Sequence, residues 1–174
     1  MIKEFIVFIY TSLSSFITSR ELLTVILASL PIIEARYAIP ISYVLMDLSL
    51  PKVFILSIIG NMLPVIPLLL FLEPISKKLR RFKLWSHFFD RLTERTKKRA
   101  SLIQKYETIG LILFVSIPLP VTGAWTGSLA ASIFKIKFRY AFLAILVGVV
   151  IASLFISILV LLGKGLYWLE QYHF

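Results

Sequence analysis

Apolar residues run almost end to end along this chain, and the polar positions that interrupt them mark out its elements. Residues 4–19, EFIVFIYTSLSSFITS, put Phe5, Ile9, Leu13 and Phe16 at helical spacing, with Thr11, Ser14, Ser15 and Thr18 gathered opposite. About 15 residues is short for a bilayer crossing and suits a helix lying in the interface, with a short tilted crossing as the alternative. Residues 1–19 therefore read as an N-terminal amphipathic, interfacial helix. Residues 51–72 and 138–162 both reach the roughly 20 apolar residues that a hydrocarbon core of about 30 Å demands. Each predicts a transmembrane helix, the first kinked where Gly60, Asn61, Pro64 and Pro67 fall in its second half.

Two apolar stretches are broken in the middle. Residues 22–46 are interrupted by PIIEARYAIP, from Pro31 to Pro40. A single spanning helix would set Glu34, Arg36 and two prolines near the bilayer centre. Each charge there costs about 2.5–3.5 kcal/mol, and proline leaves backbone carbonyls that hydrocarbon cannot satisfy. Two half-helices, 22–32 and 39–47, joined by a polar turn at membrane depth, suit these residues better, which predicts a re-entrant hairpin over 22–47. Residues 108–134 repeat the theme: an apolar run, then IPLPVTGAWTG with Pro118 and Pro120, then a second run to Phe134. The KIKFR segment that follows places Lys135, Lys137 and Arg139 on the cytoplasmic side only if 108–134 enters and leaves by one face.

Sliding the chain on itself by 88 residues sets Tyr37 on Trp125, Phe54 on Phe142 and Gly60 on Gly148, with Pro31 one place from Pro118. Each half then reads as a hairpin plus one span: repeat 1 over 20–73 and repeat 2 over 108–174, the latter ending in a C-terminal tail. An odd number of crossings per unit turns the second copy over. The predicted fold is an all-α integral membrane protein built as an inverted repeat of re-entrant hairpin plus transmembrane helix, with interfacial amphipathic helices beside it. In such folds the two broken segments meet near the midplane and form the site.

Composition agrees. With 59% hydrophobic residues and a mean hydropathy of +0.91, the 174-residue chain is too apolar for an ordinary soluble domain. Its N-terminal stretch lacks a basic n-region and a small-residue cleavage site, so the whole chain is expected to be mature. The net charge of +10 is concentrated: residues 74–107 hold eleven of the nineteen Lys and Arg against Asp90, Glu94 and Glu107. Within that segment Leu79, Phe82, Trp85, Phe89 and Leu92 share a helical face. A helix resting on the cytoplasmic leaflet has this pattern, each basic residue adding about 1 kcal/mol on anionic lipid. The charge therefore points to anionic lipid headgroups as partners and away from nucleic acid. There is no cysteine, and His87 and His173 stand far from any second ligand. No metal and no cofactor are expected.

Glu34 and Arg36 are the sharpest candidates. At membrane depth Glu34 is a proton carrier in waiting, and the planar guanidinium of Arg36 suits phosphate or carboxylate. The blander alternative is that the two only neutralise each other or cap half-helix ends. In the second turn Thr122, Gly123, Trp125 and Thr126 could offer hydroxyl and backbone donors to an anion, or could simply close the chain. Asn61 is either a hydrogen bond to the first hairpin or part of the pathway. Ala144, Gly148 and Ala152 make a small-residue ridge for close helix packing, while Asp47 and Glu73 lie at segment ends. No nucleophile–base pair is visible, so an enzyme is not expected.

With PIIEARYAIP, the GN…P span and the PLPVTG turn in place, the chain resembles the small multidrug export protein family, a compact relative of the DedA (SNARE-associated, VTT-domain) membrane proteins. The resemblance covers roughly residues 20–165. It implies paired re-entrant loops and, by way of the DedA-like proteins, transport or flipping of lipid-linked phosphates coupled to protons, with Glu34 and Arg36 where the superfamily places functional charges. The second turn carries no arginine, which departs from a two-arginine phosphate clamp. The expectation is a multi-pass protein of the inner (cytoplasmic) membrane that moves an anionic lipid-phosphate or amphipathic substrate. Export of amphipathic cations and a non-transporting scaffold are the alternatives, and a homodimer is left open.

Overall fold

The computed structural model describes residues 2–71, 100–118 and 122–172, and the regular structure among them is entirely α-helical. In chain order the helices are α1 (Ile2–Phe16), α2 (Arg20–Ser29), α3 (Glu34–Val44), α4 (Leu50–Met62), α5 (Ala100–Ser116), α6 (Ala124–Ile133) and α7 (Phe138–Tyr172). Helix α4 breaks at Leu63–Pro64 and resumes over 65–71, as the proline predicts. Leu50–Phe71 and Phe138–Gly163, 22 and 26 residues long with mean hydropathies of 2.3 and 3.1, are long and apolar enough to cross a bilayer. Only 33% and 28% of their apolar windows are covered by the rest of the protein, so most of each surface requires an apolar solvent. This is a membrane protein. The predicted amphipathic helix of the basic segment falls largely on residues 72–99, outside the described residues.

The chain divides into two compact units, Met1–Leu63 with Val149–Phe174, and Pro64–Gly148. In the first, Ser19 caps α2 by accepting the Leu22 N–H at 3.2 Å, and Pro31 ends it by holding Leu30 extended at φ −77°, ψ 140°. A four-residue turn leads into α3. At 10 and 11 residues, α2 and α3 are each about 15 Å long, half of a hydrocarbon core. They pack on each other around Leu23, Leu27, Ala28, Ile33, Ala38 and Met46, and α1 adds Ile9, Tyr10 and Leu13 to that core, with Ile17 just past its end. The apolar face predicted for α1 rotates accordingly, with Ile17 inward and Phe16 87% exposed. Between the arms, the buried Ser42 hydroxyl lies 2.8 Å from that of Thr24, which is itself 2.8 Å from the Arg20 carbonyl. Thr24 has one proton for Arg20, so Ser42 donates to Thr24. At the open end Arg20 donates to the Met46 carbonyl at 3.0 Å.

Two predicted boundaries change. The second arm starts at Glu34 rather than near residue 39, and Pro40, expected as a break, lies inside α3. Its ring withholds the N–H that would close on the Arg36 carbonyl, yet its φ is compatible with a helix whose neighbours hold it in place. Glu34 and Arg36 therefore occupy the first turn of a helix and not a loop.

Lipid tails are as apolar as leucine, so helices in a bilayer associate through close approach and polar bonds more than through the hydrophobic effect. Gly60 shows this. A Cβ there would stand 2.3 Å from the Val25 carbonyl oxygen and 2.8 Å from the Ala28 Cβ, so α4 touches α2 backbone to backbone. In the second unit a Cβ on Gly148 would come within 2.7 Å of the Val115 Cβ, and one on Gly127 within 2.6 Å of its Cγ2. Val115 of α5 thus sits in a socket made by two glycines. Gly60 and Gly148, 88 positions apart, each seat a long helix against the first arm of a helix pair. Asp47 and Lys135, also 88 apart, both take left-handed backbone, φ 52° and 55°, just past the second arm. The order helix, break, helix, long helix occurs twice with these details in register.

Candidate functional site

The break at Pro31 sets the site's geometry. Glu34 follows it with φ 47°, left-handed backbone that costs a residue with a Cβ about 1–2 kcal/mol. Residues two apart on a regular helix do not face each other. The turned backbone at Glu34 lets its Oε2 accept from Arg36 Nη2 at 2.8 Å. Glu34 is 3% exposed as a whole residue and the Arg36 side chain 14%. Ala35, between them, is buried against Ile39 of α3 and Val53 of α4, with Ile156 of α7 packed on that cluster. Breaking a buried ion pair from one side costs about 3–5 kcal/mol. The pair at the other end of the hairpin is unlike it. Lys52 and Glu21 meet at 2.6 Å with side chains half exposed, and the hydrogen bond from Lys52 holds the Glu21 carboxyl below its usual range. Water screens that pair and it contributes little.

Asn61 is 3% exposed on α4, next to Gly60, and its Oδ1 has no hydrogen-bond partner among the described residues. In the second unit two hydrogen bonds lie in the turn between α5 and α6. Thr122 donates to the Ile117 carbonyl at 2.6 Å, and the Gly123 N–H donates to the Thr126 hydroxyl at 3.0 Å. Trp125 is half-buried on α6, and Pro118 stands at the start of the turn. Pro120 lies outside the described residues. Glu34, Arg36 and Asn61 thus belong to one unit and Thr122, Gly123, Trp125 and Thr126 to the other. Among the described residues no cluster of His, Cys, Asp and Glu is arranged to hold a metal.

Some polar positions escaped the sequence reading. Ser57 and Ser153 are fully buried, and their hydroxyls find no partner among the described residues. Each sits in an unbroken apolar run, where only packing tells an inward serine from a lipid-facing one. A cavity of about 480 Å³ at the open end of the first hairpin is lined by Tyr10, Ser14, Thr18, Arg20, Met46 and Asp47, among others. The charges bracketing the apolar run, Arg20 before it and Asp47 after it, were the available signal for that cavity.

A family model described as "Putative small multi-drug export protein" matches residues 34–155, beginning at the carboxylate of the buried pair. No curated protein and no solved structure matches the chain.

Proposed function

The chain belongs to the family of small multi-drug export proteins, and on that premise we propose that it is a proton-coupled transporter of amphipathic molecules bearing an anionic group, a phosphate or a carboxylate. It works as a multi-pass protein of the inner membrane, with α2–α3 dipping into the bilayer and returning to the same face. The buried Glu34–Arg36 ion pair in the first turn of α3 carries this reading. Intramembrane ionisable groups mark transport pathways, and a half-helix too short to cross brings them to membrane depth.

In the empty carrier Glu34 is ionised and holds the guanidinium. A proton delivered to Glu34 replaces a charge-assisted bond with a weaker one, and Arg36 exchanges the carboxyl for the anionic group of the substrate. The coupling lies in that difference of affinity: substrate favours the protonated protein, and deprotonation expels it. The empty pair has no net charge, and the protonated pair has none once a monoanion is bound. Proton and anion therefore travel in the same direction, and flux is electroneutral.

Proteoliposomes test this. An imposed pH difference should drive uptake of an amphipathic phosphate, while a potassium diffusion potential alone should not. Flux that follows the potential and ignores the pH difference would remove Glu34 as the carrier. The family description supports a second reading, export of amphipathic cations with Glu34 as counter-charge. It requires Arg36 to leave Glu34 to a competing cation. Competition of a quaternary ammonium dye with protons, in place of the phosphate, would decide for it.

A further inference from the structure

Hydroxyls buried in helices of apolar surroundings ordinarily satisfy themselves on the carbonyl four residues back. Three here do so: Thr24 donates to Arg20, Ser128 to Ala124 and Ser157 to Ser153, at 2.7–2.8 Å. Ser57 and Ser153 depart from the pattern. They are 0% and 1% exposed, and neither hydroxyl pairs with any described group; nor does the Oδ1 of Asn61, one turn beyond Ser57 on the same face of α4. The three belong to the first unit. Ser57 lies one turn from Val53, and Ser153 one turn from Ile156, and both neighbours belong to the contact of α4 and α7 with Ala35 and Ile39. Ala35 is the residue that separates Glu34 from Arg36. Unpaired oxygens on α4 and α7 therefore stand one turn from residues of the apolar cluster that buries Ala35.

Such oxygens take a ligand that both donates and accepts, is small, and carries no charge into the bilayer. From this placement we propose that Ser57, Asn61 and Ser153 line a water-filled seam, and that the seam is the route by which protons reach Glu34. Water bound by two to four polar partners is the usual occupant of such buried sites, and polar backbone or side chains at membrane depth line wet cavities. A hydroxyl can pass a proton along a chain of waters because it donates with one hand and accepts with the other. Asn61 fixes the orientation of that chain as an acceptor. The conduction step rests on the reading of Glu34 as a proton carrier; the hydration of the seam does not.

The absence of cysteine makes the test clean, since thiols can be introduced one at a time. Ser57→Cys, Asn61→Cys and Ser153→Cys, the serine changes near-isosteric, would be exposed in native membranes to 2-aminoethyl methanethiosulfonate, which reacts with thiolate and so requires water. Ile55→Cys and Ile59→Cys on the outward face of α4, and Leu27→Cys in the dry core, are the references. Modification of the three seam positions at least tenfold faster than the references is the expected result. Rates equal to those of the references would overturn the seam. Transport after modification of Ser57→Cys reads conduction separately, and pH-driven flux should fall at least fivefold. A wet seam with flux undiminished by the bulky adduct would remove the proton route and keep the hydration. Dry positions together with normal pH-driven flux would refute the seam and leave the role of Glu34 standing.

Discussion

Glu34 combines three costs at one residue: backbone in a region that glycine prefers, a carboxylate out of water, and a partner only two residues away. The distorted backbone aims the carboxylate and the carboxylate holds Arg36, so the strain is part of the device. If the pair were only structural, a neutral pair of the same shape would serve as well. Glu34→Gln/Arg36→Gln should therefore fold, keeping a melting temperature within about 5 °C of wild type, because no stranded charge remains. Its pH-driven flux should drop to background. Glu34→Gln alone should lose about 3–5 kcal/mol of stability by breaking the buried ion pair from one side, read as a melting shift in detergent. A double variant that still transports would make the pair a mere brace. The sequence made both residues conspicuous, since two charges in an apolar run are costly wherever they lie. It could not show which side of the break they occupy, because that depends on the left-handed turn of one peptide.

At the scale of elements, prolines were good guides to breaks and poor guides to continuity. Pro31 and Pro64 end or interrupt helices as their chemistry requires, whereas Pro40 is carried inside α3 by the packing of Ala38, Ile39 and Ser42. Periodicity placed α1 and the two long helices, but the buried serines of α4 and α7 stayed hidden because serine does not say which face looks inward. The glycines separate packing from propensity. Gly60→Ala and Gly148→Ala should each destabilise by about 1–3 kcal/mol, because a methyl group has nowhere to go against the Val25 carbonyl or Val115. Gly110→Ala, with nothing within 4 Å of the new Cβ, should stabilise by up to about 1 kcal/mol through helix propensity. Thermal unfolding of the three variants checks the contrast, and a destabilised Gly110→Ala would mean that glycine content, not close approach, sets the stability.

For the whole molecule, the 88-residue register sets two local features on each other: glycine seats at 60 and 148, and left-handed residues at 47 and 135. The proposal of two re-entrant helix pairs makes a claim about sidedness. Labels at Lys105 and Lys135 should report from the same face of the membrane, and opposite faces would turn the second helix pair into a crossing. The first unit has another property. It is built from residues 1–63 and 149–174, so its last element is made only after the whole second unit. When the ribosome has finished the first hairpin, the surface of Ala35, Ile39 and Val53 waits for Ile156 until the second unit has emerged. During that interval a nascent chain holds a buried-type ion pair with one wall missing. Insertion of the first unit is therefore an assembly of segments from either side of the second, and a stop codon placed before residue 149 should yield a product that membrane quality control removes.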